Sequence, residues 1–354
     1  MNAPSETTPT TMQAAVVHDF GKPLSVDSID VPSPTGYEAL VRVDYTGVCH
    51  TDLHAAHGDW PVKPEPPFVP GHEGVGTVVA VGDDVTRIKV GDVVGNAWLW
   101  SACGECEWCE TGWETLCPYQ KNGGYSVDGS FGRYMLVDSR YCPIIPEGAD
   151  LAAVGPILCA GVTVYKGLKC TDTKPGEWVL ISGIGGLGHI AVQYAIAMGR
   201  RVAAVDVDDE KLELARHHGA EITVNAATAA DPAAELQEAT GGGVHGALVT
   251  AVNKHAFPQA VGSLRRGGTV VLVGLPPDQF PLDIFSTVLL GLTVRGSIVG
   301  TRKDMSEALD FYARGKITPT YSVRKLGDIN NVFDEMEHGK IEGRVVMNMA
   351  ESDI

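Results

Sequence analysis

The chain has 354 residues, 44% of them hydrophobic and 20% charged, with a formal net charge of -17 at pH 7. That length supports two domains with separate cores, and the composition is that of a globular protein in which no apolar run stands out as long enough to cross a bilayer. The acidic balance repels phosphate backbones and disfavours nucleic acid as a partner.

The first dozen residues, rich in Thr, Pro and Ser, read as a loose tail. The opening MNAPSETTPTTMQ has neither the basic start nor the apolar core of a secretory signal, so a cytoplasmic protein is expected. From Met12 to about Cys159 short runs broken by Gly and Pro read as strands: QAAVVHDF, ALVRVDYTG, EGVGTVVAVG, GDVVGNAWL and GRYMLVD. The expected fold class is α/β plus β, with this first part an irregular β-barrel.

Within it, CGECEWCETGWETLC holds Cys103, Cys106, Cys109 and Cys117. Thiolates at these short gaps, in turns that contain Gly, can converge on one tetrahedral Zn²⁺ and close its shell, which makes the ion structural. Disulfides are disfavoured in a protein expected in the cytoplasm. An iron–sulfur cluster uses similar spacings and stays open on pattern alone. Trp100, Trp108 and Trp113 are expected to pack around this lobe, and Cys142 and Cys170 read as ordinary half-buried thiols.

From about Trp178 strands alternate with helical segments, which implies parallel strands joined by crossover helices. WVLISGIGGLGHIAVQYAIAMG sets a strand, then Gly183, Gly185, Gly186, Leu187 and Gly188, then a helix. This is a dinucleotide-binding turn in its proper setting. The second strand, RVAAVDV, ends at Asp206, whose carboxylate suits both ribose hydroxyls of NAD and repels a 2′-phosphate. Lys211 is a candidate for the same ribose. Further strands at GALVTAV, GTVVLVG and LTVRGS, with a helix around residues 255–265, complete a Rossmann doubly wound parallel sheet. The expected boundaries are 1–158 for the first domain, 159–296 for the nucleotide-binding domain, and 297–354 for a return to the first, with a helix in KDMSEALDFYARGKI and a closing strand in KIEGRVVMNM.

A second set of soft ligands, Cys49, His72 with Glu73, and Cys159, is scattered along the chain, and its spacing proves nothing. Cys₂His with an open position is nevertheless a recognised catalytic zinc shell. Taken in order, GVCHTDLH, PGHEGVG, the four-cysteine lobe, ILCAGVTVYKGLK and GIGGLG resemble the zinc-dependent, medium-chain alcohol dehydrogenases of the yeast and bacterial ethanol-active type, from Met12 to about Met349.

The resemblance implies that the first domain is GroES-like and that each chain holds two Zn²⁺. One is catalytic, on Cys49, His72 and Cys159 with Glu73 beside it; the other is structural, on Cys103, Cys106, Cys109 and Cys117. It further implies oxidation of primary alcohols to aldehydes, and the reverse, with hydride passing from a zinc-held alkoxide to NAD. Thr51 and His54 would relay the alcohol proton, His50 and Arg344 would approach the cofactor pyrophosphate, and Trp60 and Trp98 would narrow the pocket around a short alcohol. Asp52 either orients a zinc ligand or serves as a turn carboxylate. Related zinc dehydrogenases for polyols, formaldehyde adducts or cinnamyl-type alcohols, and a non-catalytic NAD- and zinc-binding protein, are the alternatives. A homotetramer is expected by the same resemblance.

Overall fold

The structure is a computed structural model that describes residues 8–276 and 279–349. The chain forms two units: one runs through Cys159 and resumes at Tyr321, and the other is Ala160–Thr320.

The first unit is built on one long strand. Glu38–Val48 pairs along one edge with Tyr134–Asp138 and then with Arg344–Asn348, and along the other with Gly74–Val81, all antiparallel. Val93–Gly95 and Tyr321–Lys325 extend the sheet at its two ends. A separate hairpin joins Thr11–Val16 to Ser25–Asp30. Ala14, Val41, Val43, Val78, Phe131, Met135, Val345 and Met347 close the core, with Leu326, Ile329 and Phe333 from the C-terminal segment packed into it. Ser25–Asp30 and Tyr321–Lys325 have little buried apolar surface, which is why alternation in the sequence does not announce them.

The second unit holds six parallel strands in the order Ile222–Asn225, Arg201–Asp206, Trp178–Ser182, Val244–Val249, Leu264–Leu272, Thr293–Gly296. The strand order reverses beside Trp178–Ser182, where nucleotides bind in doubly wound sheets. That strand is buried along its whole length, as expected of a central parallel strand.

The expected boundary at 297 is not where the chain returns. The helix Arg302–Ala313 belongs to the second unit, because side chains there hold it. Tyr194 Oη donates to Ala308 O at 2.9 Å, Lys169 Nζ meets Asp304 at 2.8 Å, and Gln193 Oε1 accepts from Thr318 N at 2.7 Å. The expectation that no segment could span a bilayer also needs correction. Leu151–Cys170 forms a continuous helical run of 20 residues, long and apolar enough to do so, and it is a core helix, mostly buried.

Candidate active site and metal centres

The four lobe cysteines come together as expected. Their sulfurs stand 3.6 Å (Cys106–Cys109 and Cys117–Cys103) and 3.9 Å (Cys103–Cys109) apart. A tetrahedral ion with Zn–S bonds of about 2.3 Å has S···S edges of about 3.8 Å, so the thiols already stand at the edges of one such shell. A multi-iron cluster puts its thiolates on different metals and would spread them wider. All eight cysteines are free. Amide N–H groups of Glu105 and Cys106 aim at Cys103 and lower its pKa to about 7. The lobe's small core is Leu99, Ala102, Cys117 and Tyr141. Of the three tryptophans expected there, Trp100 is buried and donates to Leu136 O, whereas Trp108 and Trp113 are about 40% and 41% exposed.

The scattered set also converges. One ligand atom from each of Cys49, His72, Glu73 and Cys159 lies within 4.8 Å of every other, and all four residues are buried. Each arrives by a local device. The strand Glu38–Val48 delivers Cys49 as the residue that caps the helix His50–His57. His72 and Glu73 directly precede the strand Gly74–Val81. Cys159 sits in a widened π turn, Ile157–Gly161, that follows Pro156, a residue with no N–H for the helical ladder. Gly47 leaves the room: a Cβ there would stand 1.9 Å from Glu73 Oε2.

Asp52 is buried and faces three donors. It accepts from Cys49 N at 2.9 Å, from Gly71 N at 3.2 Å and from His72 Nδ1 at 2.9 Å. The Nδ1 proton is thereby committed, and Nε2 turns toward Cys159 Sγ, 3.2 Å away. Cys49 Sγ is 4.0 Å from Cys159 Sγ, and that contact, with His72, holds the Cys49 thiol well below its usual range while Cys159 is pushed up. Burial opposes charge on His72, but Asp52 and the Cys49 sulfur outweigh it and hold its pKa well above the ordinary imidazole value.

Glu73 carries a further signal. Its Oε2 is fully buried without a hydrogen-bond partner, and its carboxylate stands among the thiol and imidazole donors. Burial raises its pKa to about 7, while Arg344 pulls the other way. Two sulfurs, an imidazole and an orphaned carboxylate oxygen in one dry nest form a donor set that fits Zn²⁺.

The neighbours differ in how they match expectation. Thr51 is half-buried beside Asp52, and His50 is exposed at the start of the helix. His54 Nδ1 lies 2.9 Å from Asp59 Oδ2. Arg344, expected at the pyrophosphate, forms a buried ion pair with Glu73. Trp98 stands edge-on to His72 at 5.6 Å and to Trp60 at 6.1 Å. Tyr125, which sequence reasoning missed, packs 5.2 Å from Trp98 and 5.8 Å from Trp60, and its hydroxyl donates to Val62 O. GGYSVDG offered only a turn as its signal.

In the second unit the glycines have separate reasons. Gly183 has φ +92, and a Cβ on Gly188 would meet Gly183 O at 1.8 Å, so the fold itself demands both. A Cβ on Gly185 would touch no protein atom within 4 Å. That open space would let a pyrophosphate approach the loop at the helix N-terminus. Asp206 Oδ2 accepts from Ile184 N at 2.6 Å, and Oδ1 accepts from Val207 N and Asp208 N. These bonds hold the carboxylate against the glycine turn with lone-pair capacity to spare. Lys211 is half-buried in the helix Asp209–His217, and Gly186 and Leu187 lie in the turn itself.

Comparisons with known proteins agree with this architecture. Residues 35–147 match the alcohol dehydrogenase GroES-like domain, and residues 186–314 match the zinc-binding dehydrogenase domain. The chain is 60% identical over 337 residues to an alcohol dehydrogenase of Moraxella sp. (strain TAE123), covering 95% of this chain and 99% of that one. It is 57% identical over 340 residues to an alcohol dehydrogenase of Geobacillus stearothermophilus, covering 96% and 100%. Among solved structures it is similar to an acetophenone reductase from Geotrichum candidum in complex with NAD, with a TM-score of 0.88, 28% identity, and coverage of 99% and 100%. The chain belongs to the zinc-dependent, medium-chain alcohol dehydrogenase family.

Proposed function

We propose that this protein oxidises short primary alcohols to aldehydes, and reduces them back, with NAD and with two Zn²⁺ per chain, one catalytic and one structural. The observation that carries the reading is the dry nest of Cys49, His72, Cys159 and the orphaned Glu73 Oε2. When bound, zinc supplies Lewis-acid polarisation of the alcohol oxygen and NAD accepts the hydride.

The chain's own residues do the rest. Asp52 commits the Nδ1 proton of His72 and keeps Nε2 available as a ligand. The Glu73–Arg344 pair balances charge in a site closed to water. Thr51 would accept the alcohol proton while giving up its own hydroxyl proton, and His54, with its ring fixed by Asp59, would exchange that proton with solvent. Trp98, Trp60 and Tyr125 form an aromatic wall beside His72 that favours an unbranched carbon at the reacting position. Gly183, Gly185, Gly186, Leu187, Gly188, Asp206 and Lys211 hold the dinucleotide.

Eight unpaired cysteines support a reducing, cytoplasmic setting. Ile284, Phe285, Val288 and Leu289 are exposed along one short helix and support self-association, for which we propose a homotetramer. The test is the initial rate of NADH appearance with ethanol, 1-butanol, benzyl alcohol and 2-propanol, before and after a zinc chelator. Fast, chelator-sensitive turnover of ethanol and 1-butanol is expected. Zinc-replete protein that binds NAD and turns over none of the four would refute the reading.

A further inference from the structure

His189, the residue after the last fingerprint glycine, is fully buried and held at both ring nitrogens. Its Nδ1 lies 3.0 Å from Gly185 O, an acceptor, so Nδ1 must carry a proton. Its Nε2 accepts from Thr320 N at 3.1 Å, so Nε2 must carry a lone pair. Both contacts demand the same neutral tautomer. One helical turn along, Gln193 backs the arrangement: its Oε1 accepts from Thr318 N at 2.7 Å and its Nε2 donates to Thr318 O at 3.1 Å. Residues 318–320 are thus strapped along the helix Gly188–Ala197 and brace the imidazole from behind.

We propose that His189 is a positioning residue for the dinucleotide, clamping the Gly185 carbonyl so that the amides of Gly186, Leu187 and Gly188 face the pyrophosphate. Gly185 O already accepts from His189 N at 3.2 Å, and the ring adds a second, side-chain bond to the same oxygen. The peptide is planar, so pinning the Gly185 C=O inward turns the Gly186 N–H outward. The Gly186, Leu187 and Gly188 amides come before the helical bond from His189 N to Gly185 O, and such leading N–H groups are the ones an anionic ligand uses. Gly185 itself leaves open space at its Cβ position, where such a ligand would approach. This role rests on the NAD reading above.

Three variants separate the two contacts by reach. An Asn amide extends to the Nδ1 position and keeps a donor on Gly185 O, a Gln carbonyl extends to the Nε2 position and keeps an acceptor for Thr320 N, and Leu keeps neither. The assay is NADH affinity by fluorescence enhancement on the zinc-loaded protein, with kcat and the KM for NAD measured alongside. His189→Gln and His189→Leu are expected to raise the NADH Kd about tenfold, the loss of about one well-aligned hydrogen bond. His189→Asn should stay within about twofold of wild type. kcat at saturating NAD should hold while KM for NAD rises, a split that general destabilisation would not produce. ¹⁵N NMR of the wild-type ring should show the proton on Nδ1.

Equal Kd values for wild type and the Gln variant, or an Asn variant as weak as Gln, would overturn the proposal. If His189→Leu does not fold, the Asn–Gln contrast and the tautomer decide it. Wild-type protein that binds no NADH would instead overturn the cofactor reading beneath it.

Discussion

Replacing Asp52 by Asn keeps the side chain's shape and removes only its charge and half of its acceptor capacity. Asp52 is 1% exposed and faces three donors: Cys49 N, Gly71 N and His72 Nδ1. In one orientation the new NH₂ meets Cys49 N–H; in the other it meets both Gly71 N–H and His72 Nδ1–H. Either way at least one buried donor is left facing another, which costs about 1–3 kcal/mol, and the remaining bonds lose their charge assistance. A destabilisation of about 2–3 kcal/mol, and a melting temperature lower by roughly 5–10 °C, is expected. His72 is also freed to turn its ring or change tautomer, so zinc affinity at this site should fall roughly 10–100-fold. The assay is zinc retention under stepped chelator competition, read by elemental analysis beside thermal melts. Asp52→Asn that keeps both zinc ions at the chelator concentrations tolerated by wild type would refute the argument that Asp52 aims His72.

Cys49→Ser should abolish turnover with little change in melting temperature, because it opens one site without removing the lobe. Cys106→Ser should lower the melting temperature or block assembly, since a closed metal shell contributes folding free energy; equal thermal losses in both would contradict this division. Gly185→Ala should fold as well as wild type while NADH affinity falls at least about tenfold, because a Cβ there meets no protein atom, whereas Gly188→Ala, whose Cβ would lie 1.8 Å from Gly183 O, should destabilise the fold. Burial pushes the Asp304 carboxyl up, but Lys169, Thr301 and Lys166 outweigh it and hold its pKa below 3.8. Its contribution is therefore complete above about pH 4 and lost as pH falls further. Asp304→Asn should cost about 3 kcal/mol near neutrality. Melts from pH 7 to pH 3 should show that gap closing below about pH 4; a gap constant to pH 3 would count against the assignment.

The parts of this protein that were legible in the sequence are those whose partners lie close together in it. The lobe cysteines fall within one short run, and the fingerprint glycines join a strand to a helix directly, so spacing alone points to metal and dinucleotide. Cys49, His72 and Cys159 come from three distant segments, and only the resemblance joined them. The Glu73–Arg344 pair spans 271 residues, which no local pattern reports, and Arg344 was accordingly expected elsewhere. Tyr125 looked like part of a turn, because its packing on Trp60 and Trp98 depends on tertiary contacts. The return boundary was set too early, since helical periodicity in residues 303–317 shows an amphipathic helix without saying which unit covers its face. Trp108 and Trp113 are expected only to pack around the lobe, and at about 40% and 41% exposure they keep part of each indole in solvent there.

Anomalous diffraction at the zinc edge on crystals of the full chain tests the central claim most directly. Two peaks per chain are expected, one bounded by Cys49, His72 and Cys159 and one bounded by Cys103, Cys106, Cys109 and Cys117. A peak in the lobe alone, or an iron signal there, would contradict it.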